Sequence, residues 1–357
     1  MDTVKFGIVG YGKVAALHAK AIAATHNAKL VAVCGRDPIK CETFAVGWGL
    51  AARGSIAEMA DRDGVEAVLV TTPHPLHKQN ALEAAAAGCH VIVEKPMALT
   101  VADCDEMIAA AAAARVRLGV VSQRRWYPAV RRIRAAIDAG SLGVPSLAQV
   151  TMLGWRDEEY YRSDPWRGKW DTEGGGVLVN QAPHQLDLLA WFMGPVAEVC
   201  GYWSNVNHPY IEVEDSAVAA LRFRSGGMAS LLVSNSQKPG IYAKVHVHGS
   251  SGASTGVQTD GGAMFIAGRS GVLEPPVNDL WTIPGEEKRL AEWKAEDEAL
   301  FAKIDATWHF FSLQLSEFAE AIREERRPAV SGEDGREAIR IMEGIYRSGR
   351  TGAPVCC

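Results

Sequence analysis

The sequence predicts an α/β protein with a doubly wound parallel sheet at the N-terminus, followed by an α+β domain with an open, mainly antiparallel sheet. Three observations support this fold class. A glycine-rich turn follows the first apolar strand, strands and helices alternate over the first third of the chain, and strand-like segments separated by glycine-rich turns follow. Since 357 residues exceed one ordinary domain, we expect two, residues 1–123 and residues 124–357.

Composition and charge narrow the class of protein. A net charge of −5 gives no reason to expect a nucleic acid or an anionic membrane as a partner, and the apolar stretches are far shorter than a bilayer span. The N-terminus carries no basic leader followed by an apolar core. Seven cysteines without a Cys-x-x-Cys spacing are typical of reduced thiols. These features predict a cytoplasmic protein with neither a nucleic acid nor a membrane as partner.

The first strand, residues 4–9, leads directly into the sequence Gly-Tyr-Gly-Lys-Val-Ala and a helical pattern over residues 13–25. In a dinucleotide-binding βαβ unit, the first glycine permits a tight turn and the second lets the backbone approach a diphosphate. Gly10 and Gly12 occupy these positions, and Ala15 allows close packing of helix on strand. The helix N-terminus would face the phosphate charge. We therefore predict a Rossmann-type dinucleotide site whose contacts from this turn are Gly10, Gly12, Lys13 and Val14.

The end of the second strand bears on the choice of cofactor. An acid there binds the ribose of NAD, whereas an arginine accommodates the 2′-phosphate of NADP. Here Gly35 stands at the expected acidic position and Arg36 follows it. Asp37 could still reach the ribose, or could cap the helix that begins at Pro38. The cofactor is therefore predicted to be NAD or NADP, and the predicted contact at Arg36 slightly favours NADP.

Three further loops leave the carboxyl ends of predicted strands, at residues 71–74, 94–96 and 122–125. In an open α/β sheet, ligands bind just outside that edge, so these loops should face the same crevice as the glycine turn. Lys95 lies between a β-branched strand and Pro96, which stiffens the turn. Lys95 is thus either an acid/base beside the cofactor or a surface lysine next to a turn, and the convergence of the loops favours the first interpretation.

The remainder of the chain is predicted to be a sheet interrupted by a polar segment. Strands are predicted over residues 146–152, 196–204, 216–223, 227–234 and 242–248, and helices over residues 292–320 and 335–346. Two cysteines lie beyond the last helical pattern, so we expect residues 356–357 to be a frayed tail. His246 and His248 share a strand face, but without a third ligand nearby they predict no metal site.

The interrupting segment, residues 166–189, contains a triple glycine and then a helical pattern that Pro183 can begin. Asn180, His184 and Asp187 fall at i, i+4 and i+7, which places three polar groups on one helix face. This stripe is interpretable as a satisfied core network, as a divalent-metal site of His184 and Asp187, or as a substrate site. In the last interpretation His184 exchanges a proton and Asp187 orients it. The metal interpretation lacks further ligands near the helix.

Taken together, these segments resemble the Gfo/Idh/MocA oxidoreductase family over nearly the whole chain. The matching pieces are the glycine turn, the loop from Thr72 to His77, the Glu-Lys-Pro turn at residues 94–96, and the triple glycine followed by His184 and Asp187. The resemblance implies an N-terminal Rossmann domain, a C-terminal α/β domain with an open sheet, and a homo-dimer or homo-tetramer built on that sheet. It also implies hydride transfer between a nicotinamide and a sugar, cyclitol or related alcohol.

The resemblance also implies roles for residues of this sequence. Lys95 corresponds to the family's catalytic lysine and His184 to its histidine. The family often carries an aspartate four residues before that histidine, where this chain has Asn180, which could hydrogen-bond a substrate hydroxyl. Further cofactor contacts are predicted at Thr72, Pro73, His77, Glu94, Lys95, Gln123 and Arg167. The predicted substrate contacts are Lys95, Arg125, Trp166, Asn180, His184 and Asp187.

The implied chemistry suits a lysine. Oxidation of a secondary alcohol removes the hydroxyl proton as the hydride moves, and burial or a neighbouring positive charge lowers the pKa of a lysine. Our hypothesis is that Lys95 acts as a base beside the oxidised cofactor and as an acid beside the reduced one. The narrower expectation is oxidation of a ring hydroxyl such as C3 of a glucoside. The alternatives are redox-neutral glycoside cleavage with a retained cofactor, and a non-enzymatic dinucleotide sensor.

Overall fold

The chain folds as two units of interleaved sequence in the computed structural model, which describes residues 3–238, 240, 243–259 and 276–357. One unit consists of Met1–Gln123 and Thr307–Arg336, and the other of Arg124–Ala306 and Glu337–Cys357. The expected division into residues 1–123 and 124–357 shares with the structure the boundary after Gln123. It differs from the structure in Thr307–Arg336, which belongs with the first unit. The reason lies in the core of that unit.

The first unit contains a parallel sheet with the strand order β3-β2-β1-β4-β5-β6, so the predicted doubly wound sheet is confirmed. Its strands are β1 Val4–Val9, β2 Ala28–Cys34, β3 Ala51–Arg53, β4 Ala67–Val70, β5 His90–Val93 and β6 Leu118–Val120. Its helices are α1 Lys13–Ala23, α2 Pro38–Trp48, α3 Ile56–Asp63, α4 His77–Ala86, α5 Val101–Ala114 and α12 His309–Arg323. Neither β3 nor α3 is among the predicted elements; β3 is three half-buried residues, too few to show a strand period.

The core of the first unit explains both its apolar strands and the returning segment. Phe6, Ile8 and Leu69 of the central strands are fully buried, and Leu315 and Phe318 of α12 belong to the same cluster. The rings of Phe6 and Phe318 lie 6.4 Å apart. Because helices cover both faces of the sheet, its strands have continuous apolar runs instead of alternation. Thr307–Arg336 thus completes the core of the dinucleotide sheet.

The second unit contains a sheet with the order β13-β12-β11-β7-β10-β9-β8-β14, in which β7 and β10 are parallel and the other pairs antiparallel. The strands are β7 Pro145–Leu153, β8 Val196–Ser204, β9 Ser216–Phe223, β10 Met228–Ser234, β11 Ala243–Gly249, β12 Ser254–Thr259, β13 Val277–Trp281 and β14 Val355–Cys356. Tyr242, the predicted first residue of a strand, lies outside the described residues. The prediction that residues 356–357 form a frayed tail is wrong, because Cys356 pairs with Glu198 at the edge of the sheet.

Several helices of the second unit pack against its sheet. The helices of this unit are α6 Pro128–Asp138, α7 Glu158–Arg162, α8 Trp170–Glu173, α9 Val177–Asn180, α10 Pro183–Met193, α11 Arg289–Phe301 and α13 Gly332–Thr351, whose first residues belong to the first unit. The prediction of a single helix over residues 292–320 is wrong, because two separate helices, α11 and α12, occupy this region. Helix α11 packs on β13, with the Trp281 and Trp293 rings 4.7 Å apart, whereas α12 packs on α1. Among the described helices, none combines the length and apolar character that crossing a bilayer requires.

Candidate functional site

The turn between β1 and α1 has the geometry that a bound diphosphate requires. Gly10 has a φ of +105°, and a Cβ there would lie 2.9 Å from Thr71 Oγ1, so only glycine fits. Gly12 caps α1 in an extended conformation, and a Cβ on it would meet no described atom within 4 Å. The first turn of this fully described helix begins with Lys13 and Val14 and contains no acidic side chain. The backbone and the positive end of the helix dipole therefore suit an anionic group.

The end of β2 shows why glycine replaces the expected acid. A Cβ on Gly35 would lie 2.3 Å from Tyr11 Cε1, so a side chain there would require the Tyr11 ring to move. The Tyr11 hydroxyl also accepts a 3.0 Å hydrogen bond from the Asp37 amide. Asp37 Oδ1 accepts from two backbone amides of α2 at 3.0 and 3.1 Å, which makes Asp37 a helix cap. Arg36 is exposed beside it.

His77, a predicted cofactor contact, lies fully buried and holds two loops together. Its Nδ1 is 2.8 Å from the Pro96 carbonyl oxygen, and its Nε2 is 2.8 Å from the Thr72 carbonyl oxygen. Asn80 donates through Nδ2 to Thr72 Oγ1 at 2.9 Å. The loop after β4 and the turn after β5 are thus joined at the carboxyl edge of the sheet. The Lys95–Pro96 peptide bond in that turn is cis.

Glu94 is buried and pairs with His18, a residue that the sequence motifs do not identify. Glu94 Oε1 lies 2.6 Å from His18 Nε2, and Oε2 accepts a 3.0 Å hydrogen bond from the Lys95 amide. Burial alone would raise the pKa of Glu94, but the hydrogen bond with His18 and the charges of His18 and Lys95 keep it below the ordinary value. The available signal for His18 is its place three residues after the buried Ala15, on the same face of α1.

The remaining predicted cofactor contacts of the first unit follow strands of the same sheet. Lys95 is half-buried after β5, and Pro73 precedes the short 3-10 helix His74–Leu76 after β4. Gln123 is buried after β6, and its Oε1 accepts no hydrogen bond from any described residue. A buried acceptor of this kind suits an amide or hydroxyl donor on a ligand. The residues of this unit therefore fit a nicotinamide dinucleotide with its diphosphate at the glycine turn.

In the second unit, Asp187 binds Arg125 through both carboxylate oxygens. Arg125 Nε donates to Oδ2 at 2.9 Å and Nη2 donates to Oδ1 at 2.6 Å, with both side chains buried. The Arg125 guanidinium also lies 4.8 Å from the centroid of the Trp191 ring. Such a bidentate pair is geometrically rigid. The structure thus brings these two predicted substrate contacts together as one buried ion pair.

Trp166 and Arg167 lie beside Tyr160 in the same unit. The Arg167 guanidinium carbon is 4.4 Å from the centroid of each of the Trp166 and Tyr160 rings. Arg167 Nη1 donates to Tyr160 Oη at 2.6 Å, and Nε donates to Asp164 at 3.2 Å. The cation is therefore held against two aromatic rings. The contact between Arg167 and the cofactor stays a prediction.

The polar stripe is carried by two short helices instead of one. Helix α9 ends at Asn180, and α10 begins at Pro183, which has no N–H to continue the helical ladder. His184 is half-buried in the first turn of α10. Asn180 Nδ2 donates to Glu173 Oε1, and Glu173 is almost fully buried. Glu173 was not identified from the motifs, although an acid directly before the triple glycine is visible in the sequence.

The strand histidines have protein partners. His246 Nε2 lies 3.0 Å from each carboxylate oxygen of Asp279, and His248 Nδ1 lies 2.8 Å from Ser254 Oγ. Within the described ranges, no three histidine, cysteine or acidic side chains are grouped so as to hold a metal ion.

Both halves of the chain match models of one protein family. Residues 4–122 match the oxidoreductase family with an NAD-binding Rossmann fold, and residues 130–255 match the GFO/IDH/MocA C-terminal domain. The two matches together take in well over half of the chain. The chain belongs to the GFO/IDH/MocA oxidoreductase family. Family membership makes it an oxidoreductase with an NAD-binding N-terminal domain, which confirms the predicted family, fold class and enzyme class.

Similar proteins extend over nearly the full length of this GFO/IDH/MocA oxidoreductase. Inositol 2-dehydrogenase of Rhizobium meliloti (strain 1021) is 25% identical over 350 residues, 97% of either chain. The 1,5-anhydro-D-fructose reductase of Ensifer adhaerens is 28% identical over 84% of this chain and 81% of its own. The WlbA dehydrogenase of Bordetella pertussis, solved with NADH and UDP-GlcNAcA, has 29% identity and a TM-score of 0.87, covering 100% of this chain and 98% of its own.

Proposed function

We propose that the protein transfers a hydride between a nicotinamide dinucleotide and a ring hydroxyl of a sugar or cyclitol. The observation that carries this proposal is Lys95, which is half-buried in the turn that follows β5 of the dinucleotide sheet. Glu94 and His77 hold this turn. Support for a ring alcohol comes from the relatives named inositol 2-dehydrogenase and 1,5-anhydro-D-fructose reductase. The WlbA structure, with NADH and a nucleotide sugar bound, supports the same class.

Alcohol oxidation separates the hydride of a C–H bond from the proton of the hydroxyl. A bound nicotinamide dinucleotide supplies the hydride acceptor, so residues of the chain must take the proton. Lys95 is the proposed acceptor. Its neutral amine takes the hydroxyl proton during oxidation, and its ammonium returns a proton to the carbonyl oxygen during reduction. The hydrogen bond from its amide to Glu94 orients the backbone from which the side chain extends.

In the second unit, His184 is the proposed second proton donor or acceptor, and Asn180 the proposed partner of a substrate hydroxyl. Arg125 offers a guanidinium for sugar oxygens, and Trp166 offers an aromatic face for the ring. Asp187 is proposed to act through Arg125, because both of its oxygens already hold that guanidinium.

Single-turnover nicotinamide fluorescence tests the reaction. The purified protein is mixed with NAD or NADP and then with inositols, glucosides, free hexoses or UDP-GlcNAcA, and the reverse direction is followed with the reduced cofactors. We expect a rapid change with one class of ring alcohol. A transient signal without net cofactor conversion would favour the redox-neutral alternative. Silence in both directions, despite demonstrated nucleotide binding, would count against the proposal.

The narrower proposal is oxidation at C3 of a glycoside, supported by the resemblance around residues 166–187. A glucoside carrying deuterium at C3 provides the test. Transfer of the label to the nicotinamide is expected, together with a slower first turnover. Transfer from another labelled carbon would contradict the assignment to C3.

We also propose that the open face of the second sheet is covered by another copy of the chain in a homo-dimer or homo-tetramer. Strands β9 and β10 alternate buried and exposed residues, so one face is packed and the other exposed. Leu232, Val218 and Tyr202 are aligned across three neighbouring strands and are 41%, 43% and 65% exposed. A continuous apolar row on an exposed sheet face is typical of an association surface.

A further inference from the structure

Glu173 is a buried acid bonded to two segments that contain predicted substrate contacts. It is the last residue of α8 and is only 1% exposed. Its Oε2 accepts a 2.5 Å hydrogen bond from the Gly168 amide, and its Oε1 accepts from Asn180 Nδ2. Gly168 directly follows the Trp166–Arg167 pair, with a φ of +74°. One carboxylate therefore connects the aromatic–cation cluster to the end of α9.

The contact determines which way the Asn180 amide points. An ionised carboxylate only accepts hydrogen bonds, whereas a primary amide has a donor nitrogen on one side and an acceptor oxygen on the other. The nitrogen of Asn180 must therefore face Glu173, and its oxygen is directed to the opposite side. A charged partner makes this orientation stronger than a neutral one would. Since the carboxylate itself is bonded to the Gly168 backbone, the whole unit is fixed.

We propose that Glu173 is a positioning residue that presents Asn180 Oδ1 as the acceptor for a substrate ring hydroxyl. The inference rests on the proposed function and adds a residue to it. It also accounts for asparagine at position 180, where the family resemblance leads one to expect an acid. A carboxyl group is retained one hydrogen bond away, on Glu173.

Three variants test this unit: Glu173→Gln, Asn180→Asp and the double variant. Glu173→Gln removes the charged acceptor, so Asn180 can present either side of its amide. The expected result is a KM for the ring alcohol raised about 10- to 100-fold, with a smaller change in kcat. Asn180→Asp places two carboxylates in contact, so one must hold a proton. Its activity is expected to fall as pH rises and that proton is lost.

The double variant exchanges the two groups. The glutamine introduced at position 173 would accept from the Gly168 amide through its oxygen. It would donate through its nitrogen to the aspartate introduced at position 180, so every bond of the original unit has a counterpart. We expect KM to return close to the wild-type value and the new pH dependence to disappear, whereas a Glu173 that acts only through the Gly168 backbone predicts no such recovery. Asp171→Asn, which changes an exposed acid of the same short helix, is the matched control and should leave KM unchanged.

The outcomes separate this inference from the function on which it rests. Wild-type turnover with an unchanged KM in Glu173→Gln would overturn the role of Glu173 alone. Additive losses in the double variant would also overturn it, because they deny that the two residues act as one unit. Absence of wild-type turnover with every ring alcohol would overturn the proposed function and the inference together. Melting temperatures and NADH affinities of all variants show whether a loss of activity reflects misfolding.

Discussion

Lys95 owes its position to residues that need not touch a ligand. His18 contacts Glu94 from α1, Glu94 accepts from the Lys95 amide, and His77 bonds to the carbonyl of the next residue. Because Glu94 and His77 are buried, their hydrogen bonds lack competition from water and hold the turn firmly. The catalytic role proposed for Lys95 therefore depends on a small buried network as well as on the lysine itself.

Lys95→Met tests the proposed proton transfer at the residue scale. The substitution keeps the length and apolar character of the side chain but removes the amine. We expect kcat to fall about 10²- to 10⁴-fold while the affinity for the nucleotide is unchanged. Stopped-flow turnover and nucleotide titration measure the two quantities. Lys40→Met, at an exposed position on α2, is the control; normal turnover in Lys95→Met would contradict the proposal.

Arg36 is the residue that can distinguish NADP from NAD. It is exposed at the end of β2, where the Tyr11 ring lies against Gly35 and Asp37 caps α2. Loss of a charged hydrogen bond to a 2′-phosphate would weaken NADP binding about 10- to 100-fold. We therefore expect Arg36→Ala to raise the Kd for NADP and leave the Kd for NAD unchanged. Equal effects on both cofactors, measured by titration, would remove the preference for NADP.

At the scale of elements, Glu214 fixes the triple-glycine loop to the start of α9. Its carboxylate accepts from the Gly176 amide at 2.9 Å, the Leu178 amide at 3.0 Å and Tyr346 Oη at 2.9 Å. A Cβ on Gly176 would lie 1.7 Å from the Glu214 carbonyl oxygen, so glycine is required for the approach. Burial raises the pKa of Glu214 from 4.5 to about 7 in spite of these three hydrogen bonds.

The raised pKa makes this element sensitive to pH. Between pH 4.5 and about 7 the folded state binds a proton at Glu214 that the unfolded state has released. The contribution of this group to the free energy of unfolding is therefore complete below pH 4.5 and is lost as pH rises through about 7. In the wild-type chain, the free energy of unfolding should decline by a few kcal/mol across this window. Glu214→Gln should remove that decline, as measured by urea unfolding at several pH values.

The exposed Glu212 provides the control for that measurement. Glu212→Gln, a change of the same kind at this exposed position, should retain the wild-type dependence of stability on pH. An identical pH dependence in Glu214→Gln and in the wild-type chain would contradict the assignment to Glu214.

At the scale of the whole molecule, the open sheet face predicts association. Leu232→Arg places a charge in the apolar row beside Val218, and burying an unpaired charge is strongly unfavourable. We expect this variant to be monomeric by sedimentation velocity, while the wild-type chain is a dimer or tetramer. Ile39→Arg, at an exposed apolar position of α2 in the first unit, should leave the assembly intact. A monomeric wild-type chain would contradict the prediction.

The sequence by itself determined the features that depend on neighbouring residues. The glycine turn, the alternation of strands and helices and the loops at the carboxyl ends of strands all follow from local backbone preferences and periodicity. The sequence therefore predicted a Rossmann unit, a second sheet and the Lys95 turn. The ends of helices are harder to predict from periodicity. The break between Asn180 and Pro183, for example, occurs where a proline lacks the N–H group that would continue the helix.

Only the tertiary structure decided which distant residues meet. His18 and Glu94 are 76 positions apart, and Arg125 and Asp187 are 62 apart, so no local pattern connects them. The same holds for α12, which returns to the first sheet because Leu315 and Phe318 are buried there. Burial is a property of the folded chain, and it is burial that forces polar groups such as Glu94 and Glu173 to find partners. Motifs mark where chemistry can occur, and long-range packing decides how its residues are held.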